Sequence, residues 1–371
     1  MSFTSYRFDR KVDADFYKTL RGRVSSYFTE NNISRHANAS MVIKTIVLIA
    51  MYFVPYILLL AGTVTSTLPF LGLWLVMGLG AAGIGFSIMH DANHEAYSKN
   101  KYVNMALGNL MNFLGANSSI WKLQHNVLHH SFTNIQGADE DINSPEFLRF
   151  SPHRPLKPIH KYQYIYAWFL YGFMIILKVL YTDFKQAFHY RDIEIIKTRK
   201  EFNKLVMKIS FWKAVYFGLF FVLPFIFMPV SPLMILLGFF LMHYVVGMCM
   251  AVIFQAAHVM PETSFPAPTE TGKMDSNWAV HQLMTTTNFA PNNRLLSWYV
   301  GGLNFQVEHH LFPNICHVHY SKISHIVRET AFEYNLPYYS YKTFADALFE
   351  HGKMLHRLGR KDPKPAVAEA K

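Results

Sequence analysis

Nineteen of the 371 residues are histidine, and their spacing is where chemistry could reside. His90-Asp-Ala-Asn-His94 sets two imidazoles four residues apart, on one face of any helix that carries them. His125-Asn-Val-Leu-His129-His130 repeats the interval and adds an adjacent ring. Gln306-Val-Glu-His309-His310 ends in a pair, and His258 closes Phe254-Gln-Ala-Ala-His258. Imidazole suits iron, zinc, copper and nickel. Seven clustered histidines plus His258 exceed what one four-coordinate zinc can use. Eight or so nitrogen ligands fit two metal ions with open positions. The 2 cysteines, Cys249 and Cys316, lie outside the clusters, against iron–sulfur chemistry and a disulfide framework. Asp91 and Glu308 lie inside them, placed to hold imidazole N–H groups from behind.

The bland alternative is polar decoration. A single histidine at the end of an apolar segment is ordinarily an interfacial residue, and one pair four apart decides nothing. Three such clusters argue for ligation, and their company raises His258 above a lone ring. His281, before Gln-Leu-Met-Thr-Thr-Thr-Asn288, is a candidate to support a ligand. His243 sits inside an apolar stretch and reads as packing. His317, His319 and His325 read as surface or headgroup contacts. His36, His153, His160, His189, His351 and His356 read as solvated.

Composition says what must position the clusters. The chain is 51% hydrophobic and 16% aromatic, and only 16% is charged, against roughly 25% in a typical globular domain. Disorder, a coiled coil and a nucleic-acid module are excluded; a membrane protein is not. Four apolar stretches, about 43–60, 68–89, 211–228 and 233–254, are long enough to cross a bilayer. Short turns rich in proline and small residues join them into two hairpins. Lys44 and Lys213 lie near span ends, where they can snorkel.

Neither turn is charged, so the positive-inside bias puts both termini and the middle segment in the cytoplasm. The net charge of +11 follows from that bias and from attraction to anionic headgroups, with no nucleic-acid partner. A fifth stretch, 162–181, would separate the clusters if it crossed, and is read as an interfacial or re-entrant helix. The expected fold is all-α and integral to the membrane. Four transmembrane helices in two hairpins carry a cytosolic helical cap (90–160 and 255–345) that holds a di-metal site. Residues 1–40 form a cytoplasmic amphipathic segment without a signal-peptide core, and 346–371 a helix end and tail.

In order and spacing the clusters resemble the three histidine boxes of integral-membrane fatty acid desaturases. Asn304-Phe-Gln-Val-Glu-His-His-Leu-Phe-Pro313 is most similar to the front-end acyl desaturases and their bacterial linoleoyl-CoA desaturase-like relatives. The resemblance covers roughly Met41 to Ala345. It implies a mushroom shape and a narrow tunnel that kinks the acyl chain beside two iron ions. Its ligands are implied to be His90, His94, His125, His129, His130, His258, His309 and His310. Gln306 replaces a histidine that heads the third box in other branches. Where acyl-CoA desaturases have an asparagine four residues before the equivalent of His258, this chain has Phe254, and Gln255 is the nearest substitute.

The implied reaction is O2-dependent formation of a cis double bond in a fatty acyl chain carried on CoA, a carrier protein or a lipid. No His-Pro-Gly-Gly haem motif of a fused cytochrome b5 occurs, so electrons are expected from a separate ferredoxin or cytochrome b5. The lack of an organelle signal points to a bacterial inner membrane. A lipid hydroxylase or ketolase would use the same irons, and its product is heavier by one oxygen where a desaturase product is lighter by two hydrogens. A histidine-rich metal transporter expects ligands at mid-membrane, where only His243 falls.

Overall fold

The computed structural model describes residues 6–143 and 145–361; the expected tail beyond Lys361 lies outside them. Four helices are long and apolar enough to cross a membrane: Ala39–Leu60, Thr67–Asn93, Arg199–Phe227 and Pro232–His258. The protein is thus all-α in its main elements and multi-pass, as the apolar stretches predict. Each helix outruns its apolar stretch, and the third does so by a full polar start. Arg199–Phe217 begins at a reciprocal cap: the Thr198 hydroxyl accepts the Glu201 N–H at 3.2 Å and the Glu201 carboxylate accepts the Thr198 N–H at 3.1 Å.

The chain divides into two compact units. The first comprises Ala37–Lys122 and Trp168–Ala251. Small residues set its helix spacing. A Cβ at Gly80 would come within 2.9 Å of the Met51–Tyr52 backbone, and one at Gly78 within 2.8 Å of the Met242 carbonyl oxygen. The fifth apolar stretch forms two helices, Pro158–Tyr171 and Phe173–Asp192, bent by 64°. Gly172 sits at the bend, where a side chain would collide with the Tyr244 ring. His243 accepts or shares a proton with the Tyr216 hydroxyl at 2.6 Å, a packing role.

Lys213 does not snorkel, and Lys44 is likewise buried. The Lys213 ammonium is 2.9 Å from Asp183 and donates to the carbonyls of Gly115, Lys178 and Val179 at 2.7–2.8 Å. Lys178 closes on the other Asp183 oxygen at 3.1 Å. Desolvating these charges is tolerated because the acceptors surround the ammonium. Lys213→Met strands the fully buried Asp183 carboxylate beside one cation and empties three carbonyls. It is expected to cost about 3–5 kcal/mol, read as a lowered melting temperature of the detergent-purified protein, whereas exposed Lys204→Ala leaves it unchanged.

The second unit comprises the chain up to His36, Leu123–Ala167, and Val252 onward. Helix Ala14–Glu30 buries Phe16, Leu20 and Val24, four residues apart, among Leu283, Val307, Leu311, Ile323 and Val327. The N-terminal segment is therefore part of this unit's core. Two short parallel strand pairs, Arg7–Phe8 with Lys273–Met274 and Asn288–Phe289 with Ser340–Tyr341, pin distant segments around it. Helices Tyr320–Glu333 and Phe344–Leu358 follow.

Candidate metal centre

The second histidine box is built on an irregular helix. Ser118–Lys122 is α-helical, Leu123–His129 is a widened turn with i→i+5 bonding, and His130–Phe132 returns to α. Such turns gather at functional sites because they shift which side chains share a face. Here residues five apart align: the Nε2 atoms of His125 and His130 lie 3.2 Å apart, while the His125 and His129 rings stack at 5.2 Å. A similar widened turn, Ile84–Met89, precedes His90. The third box is the short helix Gln306–Leu311, buried along its whole length. His258 ends the fourth span helix. Its carbonyl accepts from the Asn134 amide at 2.9 Å and the Thr263 hydroxyl at 2.6 Å.

Three rings converge with their tautomers fixed. His129 Nδ1 meets Asp139 at 3.1 and 3.2 Å and Asp141 at 3.2 Å. His258 Nδ1 meets the Thr285 carbonyl at 3.2 Å, and His310 Nδ1 meets Gln282 Oε1 at 2.8 Å. These partners only accept, so each Nδ1 carries the proton and donates. Each Nε2 is buried and without a hydrogen-bond partner among the described residues. One ring nitrogen from each of His129, His258 and His310 lies within 4.8 Å of the others. Buried ring nitrogens left without partners in a dry pocket are costly, and a cation among them would satisfy them. The donor set therefore fits a metal ion.

A second cluster, His130, His309 and His310, satisfies the same distance and shares His310 with the first. His309 Nδ1 lies 3.2 Å from the Tyr320 hydroxyl. His125 and His129 also approach Asp141 closely enough to share an ion. In the other unit, His90 and His94 stand edge to face at 4.8 Å between ring centres, both against Trp121. Asp91 is 3.7 Å from His90 Nδ1, beyond a hydrogen bond.

Electrostatics follow the same architecture. Burial works against charge on His129, but Asp139 and Asp141 outweigh it and raise its pKa to about 9. Burial pushes His310 well below the ordinary histidine value, with the neighbouring rings acting in the same sense. Burial lowers His281 to about 4; its Nε2 bonds the Thr133 carbonyl at 2.8 Å, so it braces the segment after the second box.

Among the described residues Glu308 holds no imidazole. Its carboxylate accepts from Asn288 and Tyr338, each at 2.8 Å, and burial raises it to about 7. Asn288 also accepts the Val307 N–H at 2.9 Å, fixing the start of the third box. Gln306 is fully buried, with neither amide atom hydrogen-bonded among the described residues. Gln255 is buried and reaches the Asp141 carbonyl only at 3.5 Å. Of the histidines read as solvated, His160 and His351 are fully buried, bonded to the carbonyls of Glu146 and Val259. His317 and His319 are buried too.

Sequence reasoning missed the groups behind the ligands: Asp139, Asp141, Gln282, Thr133 and the Thr285 carbonyl. One signal was readable. Asp139-Glu-Asp141 is a compact acidic run ten residues after His129 in a basic chain.

With this geometry in place, comparison with known proteins is specific. A family model described as fatty acid desaturase matches residues 65–342. The sn-1 linoleoyl-lipid 6-desaturase of Synechocystis is 35% identical over 350 residues, 93% of this chain and 96% of that protein. The enzyme of the same name from Arthrospira platensis is 35% identical, with 95% of each chain covered. The acyl-lipid (8-3)-desaturase of Physcomitrium patens is 37% identical over 93% of this chain and 72% of its own length. This chain belongs to the fatty acid desaturase family.

Proposed function

We propose that this membrane desaturase introduces a cis double bond at the front end of a lipid-linked acyl chain, with two iron ions, O2 and electrons from a separate ferredoxin or cytochrome b5. Lipid linkage is favoured over CoA because the relatives from Synechocystis, Arthrospira and Physcomitrium are all named for acyl-lipid substrates. The family pattern supplies the full ligand set of His90, His94, His125, His129, His130, His258, His309 and His310, with Gln306 and Gln255 as further candidates. The charge bias supports cytoplasmic termini, and the membrane proposed is a bacterial inner one.

The observation that carries the metal reading is the convergence of ring nitrogens from His129, His258 and His310, whose Nε2 atoms are buried without hydrogen-bond partners among the described residues. A bound di-iron pair supplies the O2-dependent removal of two hydrogens from an unactivated methylene pair, beyond side-chain acid–base chemistry. The chain's own residues do the rest. Asp139, Gln282 and the Thr285 carbonyl hold the rings in one orientation, so no ligand reorganises on binding. Fully buried His129, His309 and His310 keep bulk water from the site. The short third-box helix is held in register by Asn288.

Expression in a host of simple lipid composition, followed by mass spectrometry of lipid classes, tests the proposal. A new double bond in intact glycerolipid, lighter by two hydrogens, is expected. His129→Ala and His309→Ala should each lose it at unchanged protein level. A product heavier by one oxygen would make the enzyme a hydroxylase.

A further inference from the structure

Two stretches far apart in sequence, 149–164 and 351–361, contain no Asp or Glu. The fold joins them. Arg149 donates to the Leu358 carbonyl at 2.6 Å, and Gln163 donates to that of Leu355 at 2.9 Å. The His356 ring packs on Tyr164 at 5.0 Å, and the Arg360 guanidinium lies over the same Tyr164 ring at 5.9 Å. The joined segments carry Arg154, Lys157, Lys161, Lys353, Arg360 and Lys361. Glu146 and Glu350 meet them through Lys157 and Lys353.

The joined region is also apolar where it continues toward the bent helix pair. Leu156, Ile159, Tyr162 and Ile165 recur every three residues and are 36%, 50%, 53% and 60% exposed. Helix Pro158–Tyr171 belongs to the pair whose composition passes for a membrane span. An exposed aliphatic and aromatic stripe beside cations, on a helix of membrane composition, is what a headgroup layer solvates at both ends: chains take the stripe and phosphates the ammonium groups. A water-soluble acidic protein would leave the stripe unsolvated.

We infer that this face binds anionic phospholipid headgroups, and so seats the second unit on an anionic membrane. The assignment rests on position, composition and charge, and stands apart from the metal reading. Each cation near an anionic surface adds about fivefold in partition.

The test uses the full chain in nanodiscs of mixed phosphatidylcholine and phosphatidylglycerol. Phospholipid retained after detergent extraction is measured by mass spectrometry. Wild type should retain phosphatidylglycerol in clear preference, and the preference should fall as salt is raised. Lys161→Ala, Arg360→Ala and Lys361→Ala combined should reduce it at least about tenfold without change in the helical circular-dichroism signal. The salt arm needs no variant, so a folding defect would not spare the inference. Equal retention of the two lipids by wild type overturns it. So does a triple variant that keeps lipid preference but raises KM for a reduced electron carrier, which would give the face to the carrier.

Discussion

His310→Ala should empty the site of metal. Its ring belongs to both clusters, so one substitution takes a nitrogen from each. Losing only an outer partner of a ligand typically costs roughly 10–100-fold in affinity; losing a shared ligand should exceed that for both ions. The expected result is a fall of bound metal toward none per chain, with loss of desaturated product. His258→Ala is the informative contrast, because that ring enters only the first of these two clusters and should spare part of the metal. His310→Ala also takes the ring from Gln282 and Thr133, though the Thr133 hydroxyl still reaches the Gln282 oxygen at 3.0 Å, at about 1–3 kcal/mol. Melting curves therefore belong beside the metal analysis.

Asp139→Asn should weaken metal binding. The Asp139 carboxylate accepts the backbone N–H groups of Asn134 and Asp141 at 2.8 and 3.0 Å as well as His129 Nδ1. The two backbone donors meet different oxygens, Oδ2 and Oδ1, and His129 Nδ1 lies 3.1–3.2 Å from both, so an asparagine NH2 in either orientation faces one backbone N–H and Nδ1. A donor there asks for the other tautomer, with the proton on Nε2 where the metal must bind. The expected loss is about 10–100-fold in metal affinity, measured by chelator competition, with the apoprotein destabilised by about 1–3 kcal/mol because one buried backbone N–H loses its acceptor. Asp141 also lies 3.2 Å from His129 and can partly compensate, so the double variant Asp139→Asn, Asp141→Asn should lose more than either alone. Equal metal affinity in wild type and double variant would mean that these carboxylates do not orient the ring.

Both predictions rest on residues of different legibility. The ligands announce themselves, because clustered histidines at four-residue spacing are rare and local. The spans are legible for the same reason, since hydropathy is a property of neighbours in sequence. The start of the third helix at Arg199 was hidden by its polar first turns, although Thr198 and Glu201 mark it. Lys213 looked like a snorkelling residue because sequence shows its place on a helix and not the Asp183 carboxylate 30 positions earlier that meets it. The widened turn at 123–129 keeps the four-apart rings of His125 and His129 stacked and adds a five-apart contact between His125 and His130, a change of helical pitch without a sequence signature. Glu308 looked like a partner for imidazole because it adjoins two, yet its side chain turns to Asn288 and Tyr338. What sequence conceals in each case is long-range pairing.

Elemental analysis of the purified full chain, set beside His310→Ala prepared identically, tests the central claim most directly. Two irons per wild-type chain and almost none in the variant are predicted. A wild-type protein that binds no transition metal, or a variant that keeps its full complement, would contradict the assignment of these imidazoles to a shared metal centre.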